Sequence, residues 1–242
     1  MEVHRLSLLV NRRQRRRERQ HKSLHRRVNQ VGLGCGFLFS VFLVFSLVLS
    51  GVFYVNLTSN LPSLETLPVL LNSLDGQLLQ PTRLYDRSGE HLLVSLDNPN
   101  ITRRYLSIDP ALPDHISPKF VQASLSILDP TFWQSSGVSW TNWAELRPVT
   151  IAERLVSDLL LERESPGLRR ALRMRLLAAQ LVSQYGRASV LEWYLNSAWF
   201  GHLAYGVESA SQLYFGKPAG ELTLAESIML VAVIDAPALN PL

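Results

Sequence analysis

The stretch SILDPTFWQSSG, residues 126–137, places one carboxylate, Asp129, between an apolar run and two aromatic residues. A carboxylate in such surroundings can exchange a proton with a hydroxyl group and so act as a general acid or base. The same side chain can instead serve as a helix cap or as a buried hydrogen-bond acceptor ahead of Pro130. Both roles fit the stretch taken alone.

Arginines in a second stretch, residues 168–185, could bind an anion. Four of them stand at positions 169, 170, 173 and 175, and guanidinium groups suit phosphate oxygens. A solvated helix face carries the same charges, so both interpretations stay open. No metal site is predicted, because Cys35 is the only cysteine and His202 has no partner at metal-ligand spacing. No cofactor is expected.

The elements that must position these side chains are predicted to be mostly helices. From about Ser117 onward the pattern is helical, and apolar residues recur at three- and four-residue spacing over 151–163 and 168–185. A Ser-Pro-Gly sequence at 165–167 separates these two helices. A further helix is predicted over 188–197.

The last predicted helix covers residues 223–234 and carries its own start signal. Thr223 and Glu226 have the Thr-x-x-Glu spacing of a capping box ahead of an apolar run, and Pro237 is expected to end the helix. This spacing gives Glu226 a structural explanation and so argues against a catalytic role for it.

A β-hairpin is predicted at residues 81–96, where apolar and polar residues alternate around Asp-Arg-Ser-Gly and Gly89 supplies the turn. The fold class is therefore mostly α, with one short hairpin at the start of the domain. A hydrophobic content of 47% and a charged content of 18% exclude a disordered tail and a purely membrane-embedded protein.

The N-terminal region is predicted to anchor the chain in a membrane. Residues 1–30 hold ten Arg or Lys and two Glu, whereas residues 31–55 have no charge and are long enough for one transmembrane helix. The basic side places the N-terminus in the cytoplasm and the domain outside a plasma membrane. Residues 56–80 are interpreted as a linker and 81–242 as the extracytoplasmic domain. The basic run is interpreted as a topology signal, not as a nucleic-acid site.

The segment LEWYLNSAWFGHLAYGVESASQLYFGKPAGELTLAE, residues 191–226, strongly resembles the glycosyltransferase family 51 domain, the peptidoglycan transglycosylase module of class A penicillin-binding proteins. The resemblance extends to APALNPL at 236–242 and to PTRLYDRSGE at 81–90, and covers roughly residues 60–242. It implies a lysozyme-like transglycosylase fold and a lipid-linked glycan, such as lipid II, as substrate. Without the resemblance, the aromatic residues of this segment are expected to fill a core: Trp193, Tyr194, Phe200, Tyr205 and Phe215. Its glycines are expected to allow tight turns: Gly201, Gly206 and Gly216.

The family's general base is the glutamate of a Glu-Asp-x-x-Phe-x-x-His-x-Gly motif, and here that motif reads LDPTFWQSSG. Leu128 stands at the glutamate position and Ser135 at the histidine position, while Asp129, Phe132 and Gly137 are kept. Leucine has no proton to exchange. Asp129 would project about 100° away from position 128 on a helix, so a structural role is preferred for it.

The second family motif, Gly-Gly-Ser-Thr-Ile-Thr-Gln-Gln-Leu with a later lysine, appears as RPVTIAERLVS. Thr150 is kept, Glu153 and Arg154 replace the two glutamines, and Ser157 falls at the lysine position. The chain between Phe132 and this motif is also about ten residues shorter than in the family. By the resemblance, Thr150 would contact substrate.

The third motif, Arg-Lys-x-x-Glu, appears as RALRM. Arg170 is kept, Ala171 replaces the lysine, and Met174 replaces the second catalytic glutamate. Arg170 and Arg173 are the candidate contacts to the substrate phosphates.

Three hypotheses follow for function. The first is a catalytically impaired relative that binds lipid-linked glycan or a cell-wall synthase at the membrane. The second is an active peptidoglycan glycosyltransferase in which Glu153, or else Glu145 or Asp129, replaces the lost base. The third is a degenerate or truncated gene product without a selected role.

Overall fold

The computed structural model describes residues 36–71, 76–96, 101, 103–139 and 144–236. The chain divides into two compact units, Met1–Ser59 and Asn60–Leu242. Three features of the sequence lie outside the described residues: the basic tail, Cys35 and Pro237.

The first unit contains one long helix, α1, at Gly36–Thr58. Its 23 residues would extend about 35 Å, which is enough to cross the hydrocarbon core of a bilayer. Its large apolar side chains from Phe37 to Val55 are exposed. The helix overlaps the span predicted at 31–55, although residues 31–35 lie outside the described part of the chain.

The second unit is mostly helical, as predicted, with one two-stranded sheet. Its elements in chain order are α2 (Thr66–Leu70), a 3₁₀ turn (Gln77–Leu79), β1 (Thr82–Tyr85), β2 (Leu92–Leu96), α3 (Pro118–Leu128), α4 (Ile151–Leu159), α5 (Leu168–Ser197), α6 (Val207–Phe215), a second 3₁₀ turn (Ala219–Glu221) and α7 (Leu224–Asp235). The main helix contacts are between α4 and α5 and between α3 and α7.

The predicted hairpin is confirmed. Strands β1 and β2 pair in antiparallel register, with Leu84 opposite Val94. The turn is held by Asp86, whose Oδ1 atom accepts a hydrogen bond of 3.0 Å from the backbone N–H of Gly89. Gly89 has a φ of 80°, a conformation that a glycine adopts at no steric cost.

The helix predictions are confirmed with shifted boundaries. Helix α4 ends at Leu159, four residues before the predicted end. Helix α5 is interrupted at Gly186 (φ 79°, ψ 161°), so its two arms correspond to the helices predicted over 168–185 and 188–197. The capping box at the start of α7 forms as predicted, with Glu226 Oε2 accepting the Thr223 N–H at 2.8 Å.

Two parts of the compact unit differ from expectation. Helix α6 was not predicted, and its Glu208 side chain is buried, accepting hydrogen bonds from the Gln212 side chain and the Ala219 N–H, both at 2.8 Å. The region interpreted as a linker contributes Leu64, Leu67 and Leu71 to the core. These leucines belong to the compact unit that begins at Asn60, and burial of their apolar surface stabilises their packing there.

The aromatic residues of 191–226 do not all fill the core. Tyr194 and Phe200 are buried, as expected, but Tyr205 remains 38% exposed. The expected turn glycines all have positive φ. Gly206 in particular approaches the backbone of Asn196 so closely that an added Cβ would lie 2.5 Å from its carbonyl oxygen.

Candidate functional site

The candidate substrate residue Thr150 and the candidate base Glu153 form the N-terminal cap of α4. The Thr150 Oγ1 atom accepts the Glu153 N–H at 3.1 Å and donates to the Gly137 carbonyl at 2.7 Å. In return, Glu153 Oε2 accepts the N–H groups of Val149 and Thr150 at 2.8 and 3.3 Å. This is a complete capping box, with the same Thr-x-x-Glu spacing that revealed the start of α7. The Thr-x-x-Glu spacing is visible in the sequence, but the cap at Thr150 was not predicted from it.

Asp129 lies at the end of α3 and is 4% exposed. Its Oδ2 atom accepts the backbone N–H of Ile151, the first residue of α4, at 3.2 Å, and its Oδ1 atom accepts the Thr131 hydroxyl at 3.3 Å. Burial raises the pKa of Asp129, while the hydrogen bonds from Ile151 and Thr131 act in the opposite direction. The geometry is that of a buried hydrogen-bond acceptor joining two helix ends.

A buried ion pair connects the capping box to α5. Oε1 of Glu153 lies 3.7 Å from Nε of Arg175, a distance that allows Coulomb attraction but is too long for a hydrogen bond. The Nη2 atom of Arg175 also donates to the backbone carbonyl of Glu145. Both charged side chains are nearly inaccessible to solvent, and the side chain of Glu153 is 1% exposed. The two opposite charges stabilise each other, because a buried charge without a partner raises the free energy of the folded state.

The two positions that the motif resemblance aligns with the family's catalytic glutamates hold core residues in this chain. Leu128 is 6% exposed and Met174 is fully buried, and both belong to the main hydrophobic cluster. These side chains present no polar atom to a substrate.

The candidate phosphate contacts Arg170 and Arg173 are engaged within the protein. Arg170 donates from Nε to the Leu161 carbonyl at 3.1 Å and from Nη2 to the Ser157 Oγ at 2.9 Å, closing the turn after α4. Arg173 is 2% exposed; its Nη2 atom donates to the Asn60 carbonyl at 2.6 Å and lies 3.3 Å from the Glu164 carboxylate. The structure does not bring these arginines to one surface with Thr150.

Ser135, which the resemblance aligns with the histidine of the first motif, lies in a turn that Arg187 of α5 contacts. The Nε and Nη2 atoms of Arg187 donate to the Ser135 carbonyl at 2.9 and 2.6 Å. The Ser135 Oγ atom accepts the Gly137 N–H at 3.3 Å. Arg187 carries no motif signal, and its role was not predicted.

A cleft of about 610 Å³ lies beside α4, and its lining includes Pro148 and Arg154 of the second motif. Its walls include charged residues (Arg103, Arg154, Asp158 and Glu162) and aromatic residues (Tyr194, Trp199 and Tyr205). Its lining residues include neither Leu128 and Met174 nor the candidate bases Asp129, Glu145 and Glu153. Among the described residues, no three His, Cys, Asp or Glu side chains are grouped so that they could hold a metal ion.

Residues 100–242 match the model of the family described as Transglycosylase, and the chain belongs to this family. It is 33% identical to penicillin-binding protein 1A of Aquifex aeolicus over 200 residues, which are 77% of this chain and 25% of that protein. It is 30% identical to penicillin-binding protein 1A of Pseudomonas aeruginosa over 207 residues, 78% of this chain and 23% of the relative. The protein of the same name from Escherichia coli is 29% identical over 189 residues, 73% and 21% of the two chains. The chain thus spans about a quarter of the length of these relatives.

Proposed function

We propose that this chain is a catalytically impaired peptidoglycan transglycosylase domain that binds lipid-linked glycan at a membrane. Membership of the family supports a ligand of the lipid II class. A cell-wall synthase is the protein partner that such a domain would accompany. Nucleic acid is not a proposed ligand.

This proposal rests on the burial of candidate replacement carboxylates and on the residue types at the positions aligned with the family's glutamates. Leu128 and Met174 are core side chains without a titratable group. Of the three candidate replacement bases, Asp129 and Glu153 are buried and serve as hydrogen-bond acceptors for the start of α4. Glu145 is exposed, and its backbone carbonyl accepts a hydrogen bond from Arg175. A general base must reach its proton within about 3 Å, and a carboxylate enclosed in the core has no such access.

The proposed location is a plasma membrane, with α1 crossing once, the N-terminus in the cytoplasm and the domain outside. The length and composition of α1 support a span, and the ten basic residues of 1–30 support this orientation. Tagging each end of the chain and testing its accessibility to a protease in intact cells would examine the orientation.

The first experiment is a lipid II assay with the full chain in detergent micelles, read for polymerisation and for binding in parallel. We expect no glycan polymer and saturable binding of lipid II. A transglycosylase with the intact Glu-Asp-x-x-Phe motif serves as the positive control for polymerisation. Glycan chains made by the unmodified protein would overturn the proposal of impairment.

A variant pair then tests whether the third motif contributes to binding. Arg170→Gln removes the guanidinium of the motif, and Arg163→Gln removes an exposed arginine outside it. We expect weaker lipid II binding only for Arg170→Gln, with circular dichroism showing that both variants are folded. Equal binding by both would exclude Arg170 as a phosphate contact, and absence of binding by every form would redirect the proposal to a protein partner.

A further inference from the structure

The valines of α1 all lie on one face of the helix. They follow one another at intervals of three, four, four and three residues: Val41, Val44, Val48, Val52 and Val55. At 3.6 residues per turn this spacing keeps them within an arc of about 80°, and the leucines of α1 lie outside that arc. Lipid tails are as apolar as either side chain, so contact with lipid alone gives no reason for this separation by shape. The arrangement indicates a face that packs against another helix.

A groove of about 420 Å³ lies on this valine face. Its lining residues are Ser40, Val41, Val44, Phe45 and Val48. The last four stand at positions i, i+3, i+4 and i+7, which is how four neighbours on a helix surface form the hole that receives one side chain of a facing helix. These four side chains are 49–65% exposed, so no other described part of the chain fills the hole.

Valine suits such a contact because its side chain has one strongly preferred rotamer in a helix, so packing removes little side-chain freedom. Within a bilayer, helices associate through van der Waals packing of this kind. The valines and Phe45 together expose on the order of 400 Å², about half of the roughly 800 Å² per partner that a stable interface in water buries. A smaller area is sufficient in a membrane, because the bilayer already fixes the orientation and depth of both helices and less freedom is lost on association.

We infer that α1 packs in parallel against α1 of a second copy of this chain, through the valine face. The inference rests on the membrane span proposed above and not on lipid II binding. Every copy enters the bilayer with its basic flank on the same side, so the valine faces of two copies stand at the same depth, and a two-fold axis brings identical faces together. Within the described residues α1 is the one helix with the length and composition of a span, so that part of the chain has no second span to cover the face.

Cysteine cross-linking of the full chain in membranes tests the contact. Cys35 is the only cysteine, so Cys35→Ser provides a background for single cysteines. With copper phenanthroline as the oxidant, we expect Val44→Cys and Val48→Cys to give at least about fivefold more reducible dimer than Phe42→Cys and Ser46→Cys, because a disulfide forms only between cysteines that approach closely. The two control positions lie at the same depth on the far side of the helix. Equal yields on both faces, no dimer at any position, or cross-links to a different protein would overturn the inference.

A second pair of variants locates the contact at the groove. Val44→Phe fills the hole with a ring and should lower the dimer yield of Val48→Cys by about threefold or more. Leu43→Phe adds the same ring outside the valine face and should leave that yield unchanged. Equal effects of the two substitutions would show that the groove is not the contact.

Membrane insertion is measured separately, by extraction of the same membranes with alkaline carbonate. A chain that stays in the membrane and gives no dimer would overturn the self-association alone. A chain released by carbonate would overturn the proposed span, and the self-association with it. Neither result bears on lipid II binding, which the micelle assay measures independently.

Discussion

The Oδ2 atom of Asp129 lies 3.2 Å from the backbone nitrogen of Ile151, so the carboxylate that follows α3 accepts the first N–H of α4. The two residues are 22 positions apart in the chain. The link gives a structural role to Asp129, the acidic residue that the resemblance matches to the first motif. It also places Asp129 beside the capping box of Thr150 and Glu153, so three sequence candidates for chemistry meet at one helix start.

Asp129→Ala should lower the free energy of unfolding by about 1–3 kcal/mol, because a buried helix N–H loses its acceptor. Asp129→Asn should cost less, since its amide oxygen can still accept that hydrogen bond. Urea unfolding of the full chain in micelles, followed by circular dichroism, measures both. Glu221→Ala, at an exposed carboxylate, is the control and should be nearly neutral. An Asp129→Ala variant as stable as the parent would refute the capping role.

Glu153→Ala should destabilise the domain by about 3–5 kcal/mol, because it removes two backbone acceptor contacts and leaves Arg175 buried without its counter-charge. Adding Arg175→Met should recover part of the loss, since the unpaired charge disappears. The same unfolding assay gives the coupling energy from a double-mutant cycle. Additive losses would mean that Glu153 and Arg175 do not interact.

Introducing a glutamate at position 174 should destabilise the fold more than introducing one at position 128. Met174 is fully buried, whereas Leu128 retains 6% exposure at the end of α3, so only the latter side chain can turn toward solvent. Met174→Leu should cost less than about 1.5 kcal/mol and serves as the control for size and shape. Thermal unfolding of the three variants makes the comparison. A Met174→Glu variant that unfolds at the parent's temperature would show that position 174 can reach water.

Gly206→Ala should be much more destabilising than Gly216→Ala. Both glycines have positive φ, 80° and 67°, so the backbone strain of a new Cβ is common to both variants. At Gly206 the Cβ would also lie 2.5 Å from the Asn196 carbonyl oxygen, whereas nothing lies within 4 Å at Gly216. We expect roughly 1 kcal/mol from conformation alone at Gly216 and a further steric loss at Gly206. Similar unfolding midpoints for the two variants would contradict this packing.

Stability should fall on acidification in a window set by Glu226. Its hydrogen bond with Lys217, followed by those with the Thr223 backbone and hydroxyl, lowers the pKa of Glu226 from 4.5 to about 2. A carboxyl whose pKa is lower in the folded state stabilises the fold above its unfolded pKa, and this contribution is lost as pH falls from about 4.5 toward 2. Thermal unfolding across that range should show a shallower decline for Glu226→Gln. Glu221→Gln should keep the parent's slope.

Sequence patterns that depend on near neighbours were sufficient for much of the fold. The spacing of apolar residues located α4, both arms of α5 and α7, and the Thr223–Glu226 spacing located a cap, because each signal concerns residues within one or two helical turns. Helix α6 lacked such a signal. Its polar Glu208 is stabilised by the distant Ala219 N–H, which no local pattern reveals.

The placement of the candidate site depended on contacts between distant residues. The sequence predicted the family motifs and, by resemblance, the replaced positions Leu128 and Met174, because such predictions depend on residue type and order. Three hydrogen bonds are evident only in the folded chain: Asp129 accepts from the Ile151 N–H, Arg187 donates to the Ser135 carbonyl, and Arg173 donates to the Asn60 carbonyl. The partners are 22, 52 and 113 residues apart. Whether a charged side chain meets solvent or a buried partner is decided by the packing of whole helices, since its hydration is lost only when those helices come together.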